Sequence, residues 1–195
     1  MSLQTRVLAI LVKPAEEWRT ITAEPATVEV LMRGYAAPLS AIPAIAQFIG
    51  FSLIGISVPV FGGPIGIVRS FANAVVAWVL ALVGAWIAAL VIEKLAPTFQ
   101  STGNTAQALK LVVYSMTPIW VAGVLYLVPA LGVLVVIAAL YAVYLFYLGL
   151  APVMSTPSDK VVPYMLVSAL VIIVVSFVLG AITTAIFGIS GYRAF

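Results

Sequence analysis

The sequence predicts an all-α integral membrane protein, a bundle of five membrane-spanning helices preceded by a short interfacial helical segment. Three observations predict it. Hydrophobic residues make up 64% of the chain and charged residues only 8%, against about 45–50% and about 25% in soluble domains. The mean hydropathy is +1.24. The few charges leave long charge-free runs at 34–68, 70–92, 111–158 and 161–192, where about 20 apolar residues suffice to cross a hydrocarbon core of about 30 Å. So few charges cannot coat a water-soluble body of 195 residues. That excludes a soluble enzyme, a disordered chain and a nucleic-acid binder, which needs a dense basic patch. The runs are continuously apolar rather than alternating, which excludes a β-barrel.

Residues 1–33 read as a cytoplasmic N-terminal segment. Leu3, Val7, Ile10 and Leu11 share a helical face that omits Gln4 and Arg6, the pattern of a short helix lying along the interface. A stub packed beneath the bundle would show the same pattern. Pro14 suits the first position of a second helix, with Glu16 and Glu17 in its first turn, where the helix dipole favours anions. Trp18 is expected at headgroup depth. The short apolar run 7–12 leads into Lys13-Pro14-Ala15-Glu16-Glu17 instead of a small-residue cleavage site, so no secretory signal is expected.

The membrane domain is expected over 34–192, with 193–195 as a tail. Pro59 and Gly62-Gly63-Pro64 break the first run, leaving a span near 34–58. The second span lies near 70–92. The third run is too long for one helix, and Val128-Pro129-Ala130-Leu131-Gly132 reads as a tight turn between spans near 111–127 and 130–150. The last span lies near 163–188. Thr156-Pro157-Ser158-Asp159 comes close to a capping box, which would start the last helix before its membrane part. Asn104 with Gln107 is a weaker version for the third helix. Arg6, Lys13, Arg19, Arg33, Lys94, Lys110 and Lys160 fall on one side of this topology, and Arg69 and Arg193 on the other. The excess places the N-terminus in the cytoplasm and the C-terminus outside.

Chemistry is sparse. There is no Cys and no His, so thiolate nucleophiles, soft metal sites and the usual neutral-pH proton carrier are missing. Gly62-Gly63-Pro64-Ile65-Gly66 lacks the closing Gly-Lys-Ser/Thr of a phosphate loop, and no base is at hand to activate a serine. No enzyme activity, cofactor or metal is expected. No ionisable residue sits within the core of a span, which argues against an ion-coupled pump. Gln47, Asn73, Ser115 and Thr117 remain as polar groups for inter-helix hydrogen bonds or pore lining. Small residues form ridges at Ala77, Ala81, Ala85 and Ala89 and at Ser176, Gly180, Thr184 and Gly188, serving close packing within the monomer or an oligomer interface. Among Pro38, Pro43, Pro118 and Pro163, Pro118 is the best candidate for a functional kink, with Thr117 beside it and Tyr114 one turn earlier.

Several of these residues are familiar in their order. Pro14-Ala15-Glu16-Glu17-Trp18 is followed by Tyr35-Ala36-Ala37-Pro38 and Ile42-Pro43-Ala44-Ile45, then Tyr114-Ser115-Met116-Thr117-Pro118-Ile119-Trp120. Val128-Pro129, the run from Tyr141 to Gly149 and Pro157-Ser158-Asp159-Lys160 complete the set. Together they resemble the Ypt-interacting-protein (Yip) family of five-span membrane proteins, over about residues 14–164. The resemblance implies a helical membrane domain with a cytoplasmic N-terminus. Eukaryotic relatives are tied to vesicle traffic and prenylated small GTPases. Here Arg33 stands near the position where those relatives carry an acidic residue, and the long N-terminal extension of many of them is missing. Both departures argue against a GTPase partner and point to the compact prokaryotic branch, in an inner membrane.

The expected function is therefore association with membrane lipids, a protein partner or a second copy. The alternative is a small channel or passive transporter. Tyr35, Pro38, Asn73, Tyr114, Thr117 and Pro118 are the candidate partner, lipid or hinge residues.

Overall fold

The computed structural model describes residues 2–52 and 67–188, with the side chains of 51, 129, 130 and 182–188 also outside the description. The break at 59–64, the end of the first expected span and the tail 193–195 lie outside the described residues.

Two short helices open the chain: α1 (Leu3–Val12), capped by Ser2 accepting from the Thr5 amide, and α2 (Pro14–Ala23). Pro14 opens α2, with Glu16 and Glu17 in its first turn. The brief α3 (Val28–Leu31) runs through a π turn, Met32–Ala36, into α4 (Ala37–Ser52). Next comes α5 (Ile67–Leu95), closed by a 3-10 turn at Ala96–Phe99. The Asn104 side chain accepts from the Gln107 amide and the Gln107 side chain accepts from the Asn104 amide, both at 3.0 Å. This capping box starts α6 (Thr105–Ser115). The short α7 (Thr117–Ala122) leads through 3-10 turns at Gly123–Leu127 and Pro129–Leu134 into α8 (Val135–Met154), and α9 (Val161–Gly188) ends the description.

The result is an α-helical membrane bundle. Ile67–Phe99, Thr105–Leu127, Leu131–Met154 and Val161–Ala181 are each long and apolar enough to cross a membrane. They are not equivalent. The most apolar window of Thr105–Leu127 is 67% buried, against 22%, 22% and 17% in the other three. The α6–α7 segment is thus the central helix, and α4, α5 and α8 pack around it.

One end of the bundle is tied by polar bonds among loops and helix ends. The Thr102 amide donates to Met154 O at 2.9 Å, Thr105 Oγ1 donates to Glu93 at 2.6 Å and Ser101 Oγ donates to Thr156 Oγ1 at 2.9 Å. Thr156 itself donates back to Leu150 O at 3.3 Å. It therefore joins two loops instead of capping α9, which begins only at Val161 after a turn closed from Lys160 to Pro157. A hydroxyl followed by proline and an acid gives the same local pattern in both roles, and the partner Ser101 lies far off in sequence.

The N-terminal helices pack against the bundle, which is the stub alternative of the sequence reading. α1 packs on α2 and α7, and α2 packs on α8. Ile10 is fully buried, with Leu3, Val7 and Leu11 against the same core. Arg6, off the apolar face, is buried as well. Trp18 is 1% exposed, so it is enclosed by the protein and does not face lipid headgroups directly.

Candidate functional site

The first feature is a buried junction where α1 and α2 dock on the bundle. Arg6 projects from α1 between two acids. Its Nη1 donates to Glu17 of α2, and its Nη2 donates to both carboxylate oxygens of Glu24 at 2.6 Å. A buried cation is tolerable only when paired and hydrogen-bonded in this way. Burial by itself disfavours the guanidinium, but the bonds to Glu24 and the charges of Glu17 and Glu24 outweigh it and hold the Arg6 pKa above the ordinary value. Lys110, buried on α6, donates from Nζ to the carbonyls of Ile21 and Glu24. Those carbonyls lie at the C-terminal end of α2, where a cation satisfies orphan acceptors and complements the dipole.

Aromatic rings continue the junction into the bundle. Trp18 lies over Gly149 of α8, where an added Cβ would stand 2.6 Å from the indole ring and 2.8 Å from Leu111. Only glycine leaves room for the ring. Tyr114 meets Trp18 edge-on, with centroids 6.2 Å apart, and Tyr35 at 4.4 Å. The Arg6 guanidinium lies 6.0 Å from the Tyr114 ring centre, the outer limit of a cation–π contact. Tyr35 OH pairs with Thr117 Oγ1 at 2.7 Å, and Thr117 also reaches Val113 O at 3.4 Å. The α6 helix ends at Ser115 and α7 starts anew, with Pro118 in its first turn. A missing N–H is harmless there, and the proline stands just past the one-residue break at Met116 that divides the Thr105–Leu127 span.

The second feature is a groove of about 400 Å³ bounded by α6–α7, α8 and α9. Val112, Ser115, Ala142, Val143, Ile173 and Ser176 are among its walls. Val143 is 50% and Ile173 64% exposed, so the groove lies at the outer surface of the bundle. Its walls are almost wholly apolar. Its polar side chains are Ser115 and Ser176, and Ser115 Oγ is a buried hydroxyl with no hydrogen-bond partner among the described residues.

The family model of the Yip1 domain matches residues 8–180. The chain belongs to the Yip1 domain family. Membership fixes the coarse class, a membrane-protein domain, and carries no catalytic assignment. No curated protein and no solved structure matches the chain. The matched stretch of this Yip1 domain takes in the whole groove and all of the junction except Arg6, which lies two residues before it.

Of the residues singled out in the sequence, Tyr35, Tyr114, Thr117 and Pro118 come together in the Yip1 domain. Pro38 is exposed near the start of α4, and Asn73 is half-buried near the end of α5 opposite Glu93. Neither joins the junction. Ala85 and Ala89 are buried, Ala77 and Ala81 half-buried, while Ser176 and Gly180 are exposed. The surroundings of Thr184 and Gly188 lie outside the description. Sequence reading missed Arg6, Glu17, Glu24 and Lys110 as one ionic group, and Trp18 with Gly149 as ring and socket. One signal was available: Lys110 stands between Ala108-Leu109 and Leu111-Val112-Val113, and a cation inside an apolar run needs a partner.

Proposed function

We propose that this Yip1-domain protein is non-enzymatic and works by association, holding lipid or protein partners at its membrane-facing surface in a role of membrane organisation. One observation carries the reading. The buried ionic and aromatic groups are engaged in docking α1 and α2 on the bundle, whereas the roomy groove between α8 and α9 is apolar and lies on the outer surface. A conducting path would need polar walls through the centre. The exposed Ser176 and Gly180 on α9 give a close-approach strip that suits a partner helix.

The proposal includes an orientation, in a prokaryotic inner membrane with the N-terminus in the cytoplasm and the C-terminus outside. Lys110 bonds the end of α2, Lys94 and Lys160 adjoin the loop contacts at that same end, and Arg69 begins the opposite end of α5. The excess of cations on one side supports this placement.

The test is reconstitution in vesicles, with solute and ion flux measured beside proximity transfer between fluorescently labelled copies and bound-lipid analysis. Association predicts flux equal to protein-free vesicles together with copy–copy transfer or retained lipid. Saturable flux of a small solute or ion would replace this reading with the channel.

A further inference from the structure

The groove between α6–α7, α8 and α9 has a direction, a depth and one buried polar group without a partner among the described residues, Ser115. α6 and α9 start at the end where α1 and α2 dock, and α8 finishes there, as the Thr102–Met154 and Lys110–Ile21 bonds require. The groove therefore begins near Val112, Phe146 and Met165 and ends near Ile119, Ala139 and Ser176. From Met165 to Ser176 along α9 is about 16 Å at about 1.5 Å per residue. One leaflet of a hydrocarbon core of about 30 Å is about 15 Å deep, and the groove runs from the polar interface near Val112 into that leaflet past Ser115.

Ser115 lies at a telling level. Lys110, Arg6 and the half-exposed Glu24 form a charged layer, and such a layer belongs among headgroups rather than in hydrocarbon. Ser115 is five residues further along α6, about 7.5 Å deeper. The polar interface outside the core is about 5–8 Å thick on each side. So the hydroxyl stands where ester carbonyls meet acyl chains. It is 4% exposed, borders the groove and has no partner among the described residues, and an unmet hydroxyl in an apolar setting is costly.

We infer that this groove holds one acyl chain of a diacyl glycerophospholipid from the leaflet nearest the N-terminal helices, with the ester carbonyl accepting a hydrogen bond from Ser115 Oγ. This rests on the association reading and names one partner for it. Apolar walls select a chain rather than a headgroup, and the depth selects a lipid standing in line with its leaflet.

The experiment uses the full chain in vesicles of phosphatidylethanolamine and phosphatidylglycerol, doped with a diacyl phospholipid carrying a diazirine midway along one chain. Illumination and peptide mass spectrometry locate the adducts, and native mass spectrometry after detergent extraction counts retained phospholipid. Adducts should concentrate on groove residues of α8 and α9, with about one phospholipid kept per chain. Ser115→Ala, nearly isosteric, should weaken retention about three- to tenfold, as befits one neutral hydrogen bond. Ala139→Phe and Ala169→Phe, which fill the groove, should abolish both signals, and Val79→Phe on the exposed face of α5 should leave them intact. Retention in either filled variant equal to the wild type, or adducts spread evenly over all helices, overturns the proposal. Undiminished retention in Ser115→Ala overturns the ester contact that anchors it. If lipid is not retained while copies still associate, the groove inference falls and the association reading stands. Solute flux would remove the association reading itself.

Discussion

The docked end of the bundle and the outer face of α9 are built on opposite rules. At the docked end, charged and aromatic side chains are buried and each has a fitted neighbour: Arg6 between Glu17 and Glu24, Lys110 on the end of α2, Trp18 over Gly149. Along α9, Leu170, Ile173 and Phe177 stand open, Phe177 at 78% exposure. The contrast follows from the solvent. Lipid is as apolar as leucine, so burying more leucine gives no drive to assemble helices. Polar pairing and close steric fit must then supply the specificity, and they are concentrated where the N-terminal helices close the bundle. The outer face has only to remain apolar, which leaves it available to partners.

That contrast can be broken most severely at Arg6. Arg6→Met leaves the buried Glu17 carboxylate without its cation, and breaking a buried pair in this way costs about 3–5 kcal/mol. Denaturation in detergent should show the loss, and Arg6→Met combined with Glu17→Leu should recover part of it, because the buried carboxylate is then gone and the remaining partner, Glu24, is half-exposed and can be solvated. A smaller effect separates two glycines. Gly149→Ala drives a methyl into the Trp18 ring and Leu111 and should cost about 1–3 kcal/mol by overpacking. At Gly180 an added Cβ meets nothing within 4 Å, so Gly180→Ala should not lower the melting temperature. Equal losses at both positions would erase the distinction between the two regions. The smallest effect sharpens it at Tyr35. Tyr35→Phe removes the bond to the fully buried Thr117, worth about 0.5–1.5 kcal/mol. Thr117→Val should cost a similar amount, and the double variant less than the sum, since both changes delete one contact.

What the sequence made legible was local. The apolar runs announce membrane helices, Pro14 with Glu16 and Glu17 announces the start of α2, and Asn104 with Gln107 announces the start of α6, because each signal is complete within a few residues. Tyr35, Tyr114, Thr117 and Pro118 could be singled out, since an aromatic, a hydroxyl and a proline inside apolar runs are conspicuous. Their shared location was not visible. Tyr35 and Thr117 meet across 82 positions, and Lys110 reaches Ile21 across 89. Arg6 and Trp18 were read as interfacial groups for the same reason. A cation beside an amphipathic face and a tryptophan near a span suit the headgroup layer by default, and only the socket at Gly149 and the paired acids reveal that the protein encloses them.

The most direct test of the docked junction is quenching of Trp18 by brominated phospholipid. The chain has four tryptophans, so one variant keeps only Trp18 and another only Trp86, the remainder being replaced by Phe. Trp86 is 44% exposed on α5 and Trp18 is 1% exposed beneath the bundle. In vesicles of lipids brominated at shallow or deep chain positions, docking predicts clear quenching of Trp86 and little of Trp18 at either depth. Quenching of Trp18 by the shallow label as strong as that of Trp86 by its better label would place the N-terminal helices in the lipid interface and contradict the junction.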